Sequence, residues 1–166
     1  YNSFNLPLTI LRPFNTFGPR QSARAIIPNV ISQIAANEKE IKVGDINPTR
    51  DFSYVIDTCE AFIKVSEKES TIGETINTGS NSEIAIKDLI HLIQLIMKSD
   101  LKVVHTEERI RPLNSEVQRL YCDNSLLIKL TNFKNRYSLE DGLAETIKWF
   151  CDENNLKNYK TSIYNK

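Results

Sequence analysis

Residues 8–20 read Leu8-Thr9-Ile10-Leu11-Arg12-Pro13-Phe14-Asn15-Thr16-Phe17-Gly18-Pro19-Arg20. Leu8 to Leu11, after Pro7, is a short β-rich run closed by Arg12-Pro13, which predicts a buried strand. Phe14 to Arg24 reads as a loop with Gly18-Pro19 inside it. Ile26, Ile27, Val30, Ile31 and Ile34 then recur at helical spacing, and Pro28 falls where a first helical turn tolerates it. Strand, loop and amphipathic helix in succession are the repeating unit of an α/β chain.

The alternation continues outward. Glu40 to Val43 predicts a strand closed by Gly44-Asp45, and Phe52 to Val55 predicts another. Asp57 is placed to cap a helix that turns Phe62 and Val65 inward. Glu74 to Thr78 is a strand between Gly73 and Gly79, and Ile86, Leu89, Ile90, Ile93 and Ile96 share one face of the next helix. Leu101 to Val104 reads as a strand, residues 106–118 as polar and irregular, and Leu126, Leu127 and Leu130 as a short helix. Ser138-x-x-Asp141 resembles a capping box, with Leu139, Leu143, Ile147 and Phe150 as the stripe behind it. The tail after Asn154 is polar and is expected to fray. The first strand begins almost at residue 1, so a preceding N-terminal portion is expected.

Composition narrows the function. The 166 residues are 40% hydrophobic and 25% charged, which suits one domain with a sizeable core. Lys+Arg and Asp+Glu each total 21, so there is no basic excess and a nucleic-acid partner is not expected. No apolar run approaches the roughly 18–20 residues of a membrane span, so no membrane partner is expected either. The opening residues lack the charged and apolar regions of a signal peptide. Cys59, Cys122 and Cys151 are odd in number and show no pairing by spacing, which reads as reduced thiols in a cytoplasmic protein without zinc or disulfides.

No nucleophile–base pair, zincin motif, P-loop or dinucleotide fingerprint occurs, and neither His91 nor His105 stands in a ligand motif. The chain alone is therefore expected to be inactive. What remains are arginines in loops at strand ends: Arg12, Arg20, Arg24, Arg50, Arg109, Arg111 and Arg119. Open α/β sheets bind ligands beyond the carboxyl ends of their strands, and guanidinium forks suit a diphosphate. The same arginines also read as surface partners of Asp51, Glu108 and Glu116. Arg50, immediately before an apolar strand, is the best placed to be held rigid, and Asp51 beside it can anchor neighbouring backbone.

Four collinear segments carry a resemblance. Arg12-Pro13-Phe14-Asn15-Thr16-Phe17-Gly18-Pro19 resembles R-P-x-N-x-(Y/F)-G-P of the NAD-dependent nucleotide-sugar epimerases and dehydratases, a group of extended short-chain dehydrogenases. Gly44-Asp45 followed by Arg50-Asp51-Phe52-Ser53-Tyr54-Val55-x-Asp57 is similar to that family's R-D-(F/W/Y)-x-(Y/H)-V-x-D segment. Gly73-Glu74-Thr75-Ile76-Asn77-Thr78-Gly79 resembles its G-E-x-(Y/I)-N-x-G strand, and Leu139-Glu140-Asp141-Gly142-Leu143 through Trp149-Phe150 its terminal helix. The run from Asn15 to Pro28, with Arg111-Pro112 through Leu120, looks most like the 4,6-dehydratases of legionaminic-acid-type pathways.

The resemblance implies an α/β fold: the C-terminal part of a Rossmann-like doubly wound sheet plus the small substrate-binding lobe. Residues 1–154 would be the mainly substrate-binding portion and 155–166 a polar tail. The family's G-x-x-G-x-x-G and Y-x-x-x-K precede its R-P-x-N segment. Tyr1 is not that tyrosine, because Asn5 stands where the lysine is required. NAD would thus be bound mainly by a preceding portion. The implied activity is 4,6-dehydration of a nucleotide-diphosphate sugar of N-acetylglucosamine type by a homodimeric whole enzyme. Asn15, Arg50, Arg111 and Glu116 would contact the diphosphate sugar, with Glu116 near the family's usual aspartate but two residues further on. A 4-epimerase and a non-catalytic nucleotide-sugar-binding module are the alternatives.

Overall fold

The computed structural model describes residue 4, residues 6–106, residue 109 and residues 117–160. In chain order its strands are β1 (Ile10–Pro13), β2 (Asn15–Phe17), β3 (Ile41–Val43), β4 (Thr49–Arg50), β5 (Phe52–Tyr54), β6 (Thr75–Thr78), β7 (Ile84–Ala85), β8 (Val103–His105) and β9 (Arg119–Leu120). The helices are α1 (Ile26–Ala35), α2 (Val55–Ser66), α3 (Ile86–Met97), α4 (Ser125–Thr131), α5 (Leu139–Phe150) and α6 (Glu153–Leu156), with one 3-10 turn at Glu69–Thr71. β1 pairs with β6, β2 with β5 and β3 with β8, all in parallel. β4 lies between β7, antiparallel to it, and β9, parallel to it. Parallel pairs need long crossovers, and helices supply them, as the alternation in the sequence predicts.

The first strand departs from expectation. It runs to Pro13 instead of ending at Leu11, in register Ile10↔Thr75 through Pro13↔Thr78. The N–H groups of Ile10 and Phe14 donate to the carbonyls of Glu74 and Thr78, both at 2.9 Å. Pro13 falls between these donors, so its missing N–H breaks no bond to β6. Nor is the strand buried: Leu8 and Ile10 are about half exposed, and among the described residues β1 has a neighbour on one side only. Within the expected loop, Asn15–Phe17 is a strand because β5 lies alongside it.

Two helices illustrate how side chains place the elements. The buried Gln33 of α1 donates from Nε2 to the Lys42 carbonyl at 3.1 Å and accepts from the Lys42 N–H at 2.8 Å, pinning α1 to β3. Asp57 does not cap α2; Tyr54 occupies the N-cap position. Asp57 is buried in the first turn instead, and its carboxylate accepts from the N–H groups of Arg136 at 2.9 Å and Tyr137 at 3.2 Å. Phe62 is 51% exposed rather than inward, because the face of α2 that packs is Asp57, Thr58, Ala61 and Val65.

Two glycines permit close packing. A Cβ on Gly18 would come within 2.6 Å of Val55 Cγ1, so this glycine lets the loop approach the start of α2. A Cβ on Gly142 would come 2.8 Å from the Phe17 ring and 3.0 Å from Tyr54, so α5 lies directly on β2 and β5. The main core gathers Ile27, Val30 and Ile31 of α1 with Leu89, Ile90 and Ile93 of α3 and Leu143, Ile147 and Phe150 of α5. A second cluster, Ala61, Val65, Ile76, Leu127 and Phe133, joins α2, β6 and α4. The capping box is present, with Asp141 N–H donating to Ser138 Oγ at 3.0 Å. The chain past Asn154 does not fray as far as residue 160: Tyr159 packs on Phe150 with ring centroids 4.8 Å apart and donates its hydroxyl to the Gln21 carbonyl at 3.1 Å.

Candidate functional site

The site is built on Asp51, between β4 and β5 and fully buried. Its Oδ1 accepts from the Ser80 N–H and hydroxyl, both at 2.8 Å, and its Oδ2 from the N–H groups of Ser82 and Cys122, both at 3.3 Å. One carboxylate thus ties the 80–82 loop and the segment after β9 to the β4–β5 junction. The backbone of Asp51 adds two more ties: its N–H donates to the Leu120 carbonyl at 2.9 Å, and its carbonyl accepts from Asn15 Nδ2 at 2.8 Å. The anchoring role expected of Asp51 is therefore realised several times over. Burial and the nearby charges of Asp51 and Asp123 push the Cys122 thiol up to about 12. A thiol that stays protonated is a packing group, not a nucleophile.

Beside this junction lies a cavity of about 320 Å³ bordered by Asn15, Gln21, Arg24, Asp45, Arg50 and Arg109. Asn15 and Arg50, both expected from the sequence, are brought together here. Arg50 Nη1 donates to the Thr49 carbonyl at 2.8 Å, which holds the guanidinium close to its own strand. Arg111 and Glu116, the other two expected site residues, lie outside the described residues.

Arg24 and Arg109, two of the loop arginines named from the sequence but not among the four expected site residues, border the same cavity. Arg109 Nη1 donates to Asn29 Oδ1 at 3.0 Å and to the Lys42 carbonyl at 2.8 Å, so α1 and β3 position it. Gln21 Nε2 donates to the Thr16 carbonyl at 2.8 Å, while its Oε1 is buried without a hydrogen-bond partner among the described residues. Among the described residues three guanidinium groups and one carboxylate border the space, and guanidinium forks are groups suited to a diphosphate. The signal that could have revealed Arg24 is its position in the loop leading into α1, which folds back toward Asn15. Arg109 is 80 residues beyond Asn29, which it contacts, so its place beside Arg24 is not legible from local spacing.

The remaining arginines lead elsewhere. Arg12 donates from Nε to Asn77 Oδ1 at 3.0 Å on the β1–β6 pair, and Arg20 is exposed with φ 68°. Arg119 pairs with Glu83 at 2.6 Å, and Glu116 lies outside the described residues. Hydrogen bonds from Arg119 and Thr49 hold the Glu83 carboxyl down at about 2. That pair ties β9 to the loop before β7.

With this geometry in view, the chain can be set beside known proteins. The family model described as GDP-mannose 4,6-dehydratase matches residues 1–146. The chain belongs to that family. Membership in the GDP-mannose 4,6-dehydratase family bears out the resemblance carried by the four motif segments, within the nucleotide-sugar branch of extended short-chain dehydrogenases. The UDP-N-acetyl-alpha-D-glucosaminuronate decarboxylase of Bacillus cytotoxicus is 35% identical over 155 residues, covering 90% of this chain and 48% of the relative. The human dTDP-D-glucose 4,6-dehydratase is 30% identical over 169 residues, covering 98% and 47% respectively. Among solved structures, the UDP-glucuronic acid 4-epimerase of Bacillus cereus in complex with UDP-glucuronic acid and NAD superposes with a TM-score of 0.81 at 26% identity, covering 95% of this chain and 47% of that one. The chain spans about half the length of these relatives.

Proposed function

We propose that the chain supplies the diphosphate-sugar site of an NAD-dependent nucleotide-sugar 4,6-dehydratase acting on a substrate of N-acetylglucosamine type. The observation that carries this reading is the convergence of Arg24, Arg50 and Arg109 with Asn15 on one cavity. Charge-assisted bonds from fixed guanidinium groups neutralise the two phosphates, and Asn15, its amide already committed to Asp51, presents the rest of its side chain to the ligand. Net reaction is loss of water from the hexose to give a 4-keto-6-deoxy product. NAD, when bound, supplies uptake and return of a hydride. The residues here do not form its cradle: Gly18, Gly44, Gly73, Gly79 and Gly142 are too widely spaced for a G-x-x-G-x-x-G turn. We therefore assign NAD mainly to a preceding portion of the enzyme.

The apolar surface supports the same division. Exposed Leu8, Phe62 and Ile72 line the groove between β1 and α2, Ile10 of β1 is also exposed, and among the described residues β1 has a neighbour on one side only. We assign this face to the NAD-binding portion, whose added length the relatives carry. A second reading is a 4-epimerase, favoured by the likeness to the Bacillus cereus enzyme. Epimerisation keeps the mass of the sugar nucleotide, whereas dehydration removes one water.

The test is to incubate the enzyme carrying both portions with GDP- and UDP-N-acetylglucosamine and to follow product mass and the 4-keto group. An epimer of unchanged mass would replace the dehydratase reading. Arg50→Ala is expected to raise KM by about 2–3 kcal/mol, with Arg50→Lys recovering only part, since an ammonium cannot make the bidentate contact. Arg24→Ala and Arg109→Ala are each expected to cost about 1–2 kcal/mol in KM. Normal KM in Arg50→Ala with a much lower Tm would make Arg50 a structural residue instead.

A further inference from the structure

One wall of the arginine cavity is backed by a closed set of hydrogen bonds centred on Asn29, near the start of α1. Asn29 is half-buried and borders the cavity itself. Its Oδ1 accepts from Arg109 Nη1 at 3.0 Å and from Gln33 Nε2 at 2.8 Å. The Lys42 carbonyl accepts from the same two nitrogens, at 2.8 Å from Arg109 and 3.1 Å from Gln33. Two NH2 groups thus share two oxygens, one supplied by α1 and one by β3. Gln33 is 2% exposed and also accepts from the Lys42 N–H at 2.8 Å, so that half of the set is rigid. The guanidinium of Arg109 is the one charged group in it, and Arg109 borders the cavity.

Asparagine is a poor residue for a helix interior, because its side chain competes for backbone hydrogen bonds. Here the side chain is committed elsewhere. Besides the two bonds to Oδ1, its Nδ2 donates to the Ala23 carbonyl at 3.4 Å, in the loop that carries Arg24. The amide orientation is fixed, since a reversed amide would set its own N–H groups against two N–H donors. An amide oxygen holds a guanidinium without cancelling its charge, whereas a carboxylate would form an ion pair with it. A guanidinium already held through Nη1 is pre-oriented, so it loses less freedom when an anion meets it.

We propose that, given the diphosphate-sugar reading of the arginine cavity, Asn29 is a positioning residue for it, fixing the Arg109 guanidinium at the cavity wall through its side-chain oxygen. Asn29 acts through Arg109 and not by its own contact with the phosphates. Gln33 and the Lys42 carbonyl complete the frame, so α1 and β3 together set where the guanidinium stands.

Calorimetric titration of the enzyme carrying both portions with UDP and with GDP tests it, with Tm measured alongside. For the nucleotide that the parent binds more tightly, Arg109→Ala is expected to weaken binding about tenfold and Asn29→Ala about fivefold. Asn29→Ala made in the Arg109→Ala background is expected to add no further loss, because the group it holds is gone. Asn29→Asp keeps an acceptor in place but cancels the guanidinium charge, and is expected to weaken binding at least as much as Asn29→Ala. Additive losses in the double variant would mean that Asn29 meets the nucleotide directly, and would overturn the proposal. Parent-like affinity in Asn29→Ala or Asn29→Asp, whatever the Tm, would overturn it too, since Asn29 would then only join α1 to β3. A parent that binds neither nucleotide, or Arg109→Ala binding as the parent does, would remove the diphosphate reading and the proposal with it.

Discussion

Asp51 shows how one side chain can set a site without touching a ligand. Its carboxylate is the common acceptor for Ser80, Ser82 and Cys122, and its carbonyl orients Asn15. Asp51→Asn keeps the volume but turns one acceptor into a donor facing N–H groups. It is expected to cost about 2–3 kcal/mol of folding stability, read by urea unfolding, because hydrogen bonds to a charged group are lost in a buried place. Arg50→Ala, by contrast, is expected to leave the urea midpoint nearly unchanged. Should Asp51→Asn melt like the parent, the junction would be held by its backbone pairing alone. The sequence singles out Asn15, Arg50 and Asp51 because they stand in motifs. It names Arg24 and Arg109 only among seven loop arginines and does not single out Gln21, because their place beside Asn15 and Arg50 comes from what the fold sets opposite them.

At the scale of elements, the small sheet of β7, β4 and β9 is tied by Glu83, which takes three hydrogen bonds from Arg119 and one from Thr49. Those bonds lower the Glu83 pKa from 4.5 to about 2. A carboxyl whose pKa is lower folded than unfolded stabilises fully above the unfolded value and loses that contribution as pH falls through the folded one. The stability gap between the parent and Glu83→Gln is therefore expected to be constant above pH 4.5 and to close as the pH falls toward 2, in paired unfolding curves. A gap that stays open at the acid end would show that Glu83 acts through packing, not charge. Elements defined by period, such as α1, α3 and α5, are legible because a helix needs only its own apolar stripe. β2 is not legible: three residues after a proline become a strand only because β5 supplies the partner ladder. The position of Asp57 likewise suggests a local cap, but its carboxylate serves N–H groups about eighty residues on.

For the whole molecule, Leu8, Ile10, Phe62 and Ile72 are exposed on β1, α2 and the chain beside them, and among the described residues one edge of β1 has no partner strand. Residues 1–166 by themselves are expected to self-associate and to bind hydrophobic dye. Phe62→Lys is expected to reduce both while changing stability by less than about 0.5 kcal/mol, as at other exposed positions. A chain that sediments as a monomer without dye binding would remove the argument for a covering portion. The α/β class, the positions of most helices and the family motifs are all readable in the sequence, because each rests on residues near one another in the chain. Tertiary structure alone decided which arginines share a cavity and that, among the described residues, β1 has a neighbour on one side only. The physical reason is distance along the chain. Local spacing determines a helix or a turn, but the charge and shape of a cavity are sums over side chains that only folding brings together.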